Sequence, residues 1–220
     1  MKIPTYIINL KKRTDRKEHI LGQFKNRDEF DVNFIEACED KDGRIGLWKS
    51  LCKIINIAKE KDLEYVLVCE DDHFFTDNYN KDKFQEYIET AKKYNCHILN
   101  GGIGGYGETI KVTDGIFWVD WFWCTQFMIV YRNMYDKILE YHFKSGDTED
   151  GVLSNLTFNH FVIWPFISEQ AASGYSDVTA YNNAHPDVIL TYFYEAKSKL
   201  NKTSNFIKQF EELREHNKSK

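Results

Sequence analysis

The chain has no long hydrophobic run. None of its 220 residues sit in a stretch approaching the roughly 18 apolar residues that a membrane-crossing helix needs. The short apolar segment near the start is stopped by charge at Lys11, too soon for the core of a secretory leader, so a soluble chain is expected. Its five cysteines, Cys38, Cys52, Cys69, Cys96 and Cys124, are odd in number and lack Cys-x-x-Cys spacing. A disulfide framework or zinc site is therefore not indicated. Thiols in apolar stretches such as 65–69 behave as small hydrophobes, which points to a reducing, cytoplasmic setting. Positive charge is not in excess either, with 29 Lys and Arg against 34 Asp and Glu. A nucleic-acid binder draws most of its affinity from phosphate neutralisation, so that class is disfavoured. A small phosphorylated ligand needs only a local basic cluster and stays open. Linkers, repeats and biased tracts are also missing, and a chain of this length buries about 70% of its unfolded surface in one core.

What is present reads as strands alternating with helices. Residues 5–10 form a buried first strand. Thr14 or Asp15 is placed to cap a helix with Ile20, Leu21 and Phe24 on one face. A second strand covers 32–37, with Gly43 and Gly46 punctuating the turn that follows. Leu47, Leu51, Ile54, Ile55 and Ala58 recur at i, i+4, i+7, i+8 and i+11, the stripe of a helix packed on a sheet. Residues 65–69 are continuously apolar, as a central strand covered on both faces should be. Phe84, Ile88 and Ala91 mark another helix, 98–99 a strand, and 101–107 a glycine-rich, flexible loop. Strands follow at 116–120 and 126–131, then a helix with Met134, Ile138 and Leu139. A short helix beyond Asp150, a strand at 161–164, an irregular stretch through Pro186 and an amphipathic helix over about 203–217 complete the chain. The pattern predicts one α/β domain with a central mixed, mostly parallel sheet flanked by helices, the antiparallel additions lying after residue 110.

Glu70-Asp71-Asp72 follows the 65–69 strand directly. Like charges so close raise one another's pKa and resist burial unless a cation sits among them. In open parallel sheets, ligands bind outside the carboxyl ends of the strands, where this triplet falls. Mn²⁺ or Mg²⁺ takes oxygen ligands and shares its shell with phosphate oxygens. A solvated acidic turn is the plain alternative. On the same edge lies Asn9-Leu10-Lys11-Lys12-Arg13-Thr14-Asp15-Arg16, entering a helix. Arginine forks and a helix N-terminus suit a diphosphate, although a solvated basic turn would look the same.

Residues 6–10 with Arg13 and Arg16 resemble the opening motif of glycosyltransferase family 25, which includes lipopolysaccharide, lipooligosaccharide and collagen sugar transferases. Gly46 through Ser50 is similar to that family's glycine-to-serine helix start, and 66–72 resembles its strand with acids. Residues 126–131, Asp150-Gly151, 165–170 and Ser176-Asp177 follow in the family's order. The resemblance implies a GT-A (Rossmann-like) fold, a nucleotide-sugar donor such as a UDP-sugar, a divalent metal and inversion at the sugar carbon. It splits the chain into a nucleotide-binding half (about 1–100) and an acceptor-side half (about 101–200). By the same resemblance Asn9, Leu10, Arg13, Arg16, Gly46 and Ser50 lie near the nucleotide. Glu70 and Asp71 handle ribose, and Asp72 with Glu70 handles metal. The chain departs from the family at Leu47-Trp48-Lys49.

Displacement at an anomeric carbon asks for a base opposite the leaving group. By its place in the resemblance Asp150 is the candidate, with Asp147 and Glu149 as competitors and a helix-cap role as the plain alternative. His185 is a further metal candidate or a solvated loop residue. Trp118, Trp121, Phe122 and Trp123 either stack on an acceptor or fill the core. The resemblance further implies a glycan, glycolipid or protein acceptor, in surface glycan or lipopolysaccharide synthesis. The terminal helix either contacts a membrane peripherally or packs on the body. A nucleotidyltransferase and an inactive nucleotide-sugar-binding module remain the competing functions.

Overall fold

A computed structural model describes residues 2–171, 184–185 and 187–218. Its order is β1 (Ile3–Asn9), α1 (Thr14–Phe24), β2 (Phe30–Glu36), α2 (Gly43–Glu60), β3 (Tyr65–Glu70), β4 (His73–Phe75), α3 (Lys81–Lys93) and β5 (Ile98–Asn100). Then come β6 (Thr109–Thr113), β7 (Ile116–Val119), β8 (Phe127–Tyr131), a 3₁₀ turn at Arg132–Met134, α4 (Tyr135–Glu140), α5 (Glu149–Leu156), β9 (His160–Ile163), β10 (Ser168–Gln170) and α6 (Val188–Lys218). The expected elements are there within a residue or two, except that α6 begins at Val188 rather than near 203. The motif reading at Ser176-Asp177 lies outside the described residues.

Eight strands form one sheet in the order β2-β1-β3-β8-β5-β9-β7-β6. β1 pairs with β2 and β3 in parallel, and β5 pairs with β9 in parallel. β8 and β7 run the other way, so six of the eight strands share one direction. The two reversed strands lie after residue 110, as expected. This is the mixed, mostly parallel α/β architecture of the sequence reading.

Each face of the sheet carries its own core, which explains why β3 is apolar without interruption. Val66 and Val68 point to one side, under Leu51, Ile54 and Ile55 of α2 and Ile138 of α4. Leu67 and Cys69 point to the other, against Ile20 and Phe24 of α1 and Phe84 and Ile88 of α3. Alternate residues along a strand face opposite ways, so covering both faces demands apolarity at every position.

Local starts and stops follow from side-chain oxygen. Asp42 caps α2 by accepting from Arg44 N at 3.1 Å, and Asn80 caps α3 by accepting from Lys83 N at 3.0 Å. The expected cap at Thr14 or Asp15 is corrected: Arg13 holds the cap position, and the Asp15 carboxylate accepts from the Arg13 guanidinium at 2.9 Å instead. All five cysteines are free thiols. No helix among the described residues is long and apolar enough to cross a membrane.

Candidate active site

The ends of the forward strands and the start of a reversed one meet at one rim. Beyond β1, β2 and β3 the chain continues into Leu10, Ala37–38 and Glu70, while Trp123-Cys124-Thr125 precedes β8 at the same edge. These segments, with 148–150 at the start of α5, enclose a cleft of about 390 Å³. Its wall includes Lys12, Arg16 and Arg44 as cations and Glu70, Asp71, Asp72, Glu149 and Asp150 as acids.

β3 ends at Glu70, and the two aspartates form the turn into β4. Asp71 is fixed from both sides, accepting from Asn9 Nδ2 at 2.7 Å and from the Arg16 guanidinium at 3.0 Å. Asp72 shares that guanidinium at 3.4 Å and accepts from Gln170 Nε2 at 2.8 Å. Gln170 reaches it because β10 pairs antiparallel with β4, setting Gln170 opposite His73. The second Asp72 oxygen, Oδ1, is buried and has no hydrogen-bond partner. Burial pushes the Asp72 carboxyl up to about 6 against the pull of Arg16. Burial also holds Glu70 well above the usual carboxylate range, with Asp72 adding to the shift, and Thr125 Oγ1 donates to Glu70 Oε1 at 2.9 Å.

Across the cleft, Thr148 caps α5 and places Glu149 and Asp150 in its first turn. Asp150 lines the cleft, accepting from Cys124 N at 3.2 Å and Gly151 N at 2.8 Å. Glu149 is buried, with Oε2 unpartnered. Burial, followed by the charge of Asp150, pushes its carboxyl up to about 8. Near neutral pH Glu149 is therefore mostly protonated and unsuited to act as a base. Asp147 is set aside by geometry, because its carboxylate accepts from Tyr141 Oη and Lys144 N and does not line the cleft.

The Glu149 shift has a consequence for stability. A carboxyl raised from 4.5 to about 8 binds more protons folded than unfolded, so its contribution is complete below pH 4.5 and declines as pH rises through 8. Glu149→Gln is expected to raise the melting temperature at pH 8.5 and to change it little at pH 4.5. Equal shifts at both pH values, measured by calorimetry, would count against a buried neutral carboxyl.

Other expected site residues sit differently. Asn9 is buried one step behind the wall and orients Asp71. Arg13 is turned to Asp15 and is not on the wall. Gly46 and Ser50, expected near the nucleotide, are buried and do not line the cleft themselves. Ser50 Oγ donates to Gly46 O and accepts from Cys38 N, both at 2.8 Å, and a Cβ on Gly46 would overlap Cys38 O. The pair thus shapes the Cys38 segment, which does line the cleft. The Leu47-Trp48-Lys49 departure is structural: Trp48 stacks on Phe143 at 5.0 Å, and Lys49 pairs with Asp40 at 2.7 Å.

The glycine-rich loop is likewise corrected. Gly101 and Gly102 are buried, and a Cβ on Gly102 would overlap Ser168 O, so these glycines are a packing joint beneath β10 rather than a flexible loop. Of the aromatics, Phe122 is core and the Trp118 indole donates to Phe158 O. Trp123 lines the cleft beside Tyr192, their rings 5.4 Å apart. Thr125, Lys12 and Arg44 were not singled out individually from sequence, since nothing in their spacing marks them. His185 is exposed.

With this geometry in place, the chain compares as follows. Residues 2–55 match the model for glycosyltransferase family 25 (LPS biosynthesis protein). Over these residues the chain is similar to that family. The matched segment runs from β1 into α2 and contains Asn9, Leu10, Arg13, Arg16, Gly46 and Ser50. No curated protein matches the chain. Among solved structures, A197 from STIV shares the fold at 14% identity and a TM-score of 0.52, over 77% of this chain and 85% of that one. A glycosyltransferase involved in glycosylation of the PBCV-1 major capsid aligns at 14% identity and 0.40, over 63% and 64%. An apo UDP-glucose pyrophosphorylase aligns at 10% and 0.47, over 91% and 82%. The last two scores are too low to carry weight. The family match lies on the cation-bearing side of the cleft; the acids of β3 and α5 fall outside it.

Proposed function

We propose that the chain transfers a sugar from a UDP-sugar to an acceptor hydroxyl with inversion, using Asp150 as base and a divalent cation, Mn²⁺ or Mg²⁺, held at Asp72. One observation carries the reading: Asp72 Oδ1 is buried without a partner in a cleft that also holds Lys12 and Arg16. A volume of about 390 Å³ suits a ligand of nucleotide-sugar size.

Among the described residues, no three acidic, histidine or cysteine groups gather as a self-sufficient metal site. The residues fit a cation that takes one protein oxygen from Asp72 and completes its shell with phosphate oxygens and water. Glu70, accepting from Thr125, lines the same cleft beside Asp72. Such a cation, when bound, supplies Lewis-acid stabilisation of the departing diphosphate. Lys12 and Arg16 add fixed positive charge beside it. Ile8, Leu10, Ala37 and Leu47 give the nucleoside an apolar wall. On the far side Asp150, steadied by two backbone N–H groups, takes the proton from the attacking hydroxyl. Trp123 and Tyr192 offer aromatic faces to an acceptor sugar. A glycan, glycolipid or protein acceptor in surface glycan or lipopolysaccharide synthesis is consistent with the family.

The test is product analysis with a panel of UDP-sugars, Mn²⁺ and saccharide acceptors. Release of UDP is expected. Release of pyrophosphate from UTP and a sugar 1-phosphate would replace the reading with nucleotidyl transfer, and tight UDP-sugar binding with neither product would mark an inactive binding module.

A further inference from the structure

The final turns of α6 carry a second apolar stripe on their outer face. Phe206, Phe210 and Leu213 are 68%, 52% and 61% exposed, and the two phenylalanine rings stack at 6.3 Å. Their i, i+4, i+7 spacing puts them on one stripe. The body side of the same turns packs Ile207 on the core, while Asn201, Ser204, Asn205 and Lys208 line a cleft against the β6–β7 hairpin and Glu211 pairs with Lys111 at 2.9 Å.

Charge sorts along the same division. At about 100° per residue, Lys202 and Arg214 fall within roughly 75° of the centre of the apolar stripe, whereas Glu211, Glu212 and Glu215 all lie more than about 120° from it. Cations therefore border the phenylalanines and the acids are held away. A second copy of the chain meeting this stripe would bring like charges together with no acid within reach. A surface that is apolar inside and anionic at its rim is complemented on both counts.

We propose that this end of α6 docks the chain on an anionic lipid bilayer, lying in the headgroup plane with Phe206, Phe210 and Leu213 inserted and Lys202 and Arg214 at the phosphates. The docking stands apart from the transferase chemistry. It nevertheless bears on it geometrically, because Ile189 and Tyr192 at the other end of α6 form part of the active cleft wall. One rigid helix thus links the lipid surface to the cleft.

Flotation of the full chain with phosphatidylcholine vesicles, with and without phosphatidylglycerol, tests this. Binding is expected only with phosphatidylglycerol, falling at high salt. Phe206→Ser should weaken it about tenfold or more, and Lys202→Ser or Arg214→Ser about fivefold each. These side chains lie on the outer side of the helix, so melting temperature should hold and so should UDP release in the absence of vesicles. No binding to phosphatidylglycerol vesicles, or binding that Phe206→Ser leaves intact, would overturn the proposal. So would a dimer in light scattering that Phe206→Ser dissolves, which would assign the stripe to a second copy.

Discussion

Asp150→Asn is expected to lower turnover about 10²–10⁴-fold while UDP affinity stays close to that of the unmodified chain. An amide cannot take a proton from the acceptor hydroxyl, yet it is nearly the same size. The first turn of α5 should survive, because Thr148 also accepts from Gly151 N and holds the cap. One of the two backbone contacts of Asp150 is lost, since the amide nitrogen faces an N–H it cannot accept from. Asp147→Asn is the matched control: its carboxylate accepts from Tyr141 and Lys144 away from the cleft wall, so a modest loss of stability with normal turnover is expected. Steady-state kinetics with a saturating acceptor separate the two. Turnover of Asp150→Asn within a few-fold of normal would remove Asp150 from the chemistry.

The second large effect is expected at Asp72. A ligand present at about 100 times its Kd stabilises the folded chain by about 2.7 kcal/mol. For a chain of this size that is a rise of about 5–10 °C in melting temperature. With UDP, the part of that rise that requires Mn²⁺ should vanish in Asp72→Asn. The unliganded variant should behave oppositely. The Asp72 carboxyl is raised from 3.8 to about 6, so its stability contribution is complete below pH 3.8 and is lost as pH climbs through 6. Asp72→Asn is therefore expected to be more stable than the native chain at pH 7.5 without ligand, and less responsive with it. Scanning calorimetry at two pH values, with and without UDP and Mn²⁺, reads both signs. An unchanged Mn²⁺-dependent rise would place the cation elsewhere.

Much of the fold could be read from residue pattern because its causes are local. Val66 through Cys69 had to be apolar at every position to sit between two cores, and the acids after them had to mark the strand's open end. The stripe from Leu51 to Ala58 identified α2 for the same reason. β4 and β10 escaped notice because each has three residues, too few to show a period. β6 escaped because an edge strand with Ile110 exposed has no buried face to declare it. The glycines at 101 and 102 looked mobile in sequence, but their need for smallness comes from Ser168, far along the chain. In the site, the acids were recognisable as a group. Their division of labour was not, because the protonation of Glu149 depends on burial that only tertiary packing creates. The length of α6 also exceeded its expected 203–217 span, since its first half is stabilised by Phe193, Ala196 and Leu200 packing into the body.

The reversed direction of β8 has a consequence for how the two sides of the cleft can vary. Because it runs against β3, its leading residues arrive at the rim where β3 ends, and Thr125 touches Glu70 across a gap of 55 positions. Side chains on two walls of the cleft are thus neighbours on one hydrogen-bonded ladder, with no loop between them to absorb change. A slip of one rung would turn every β8 side chain to the opposite core and carry Thr125 away from its carboxylate partner. Substitutions that widen specificity on either side must therefore keep this ladder in step, and variation is free only where the chain leaves it.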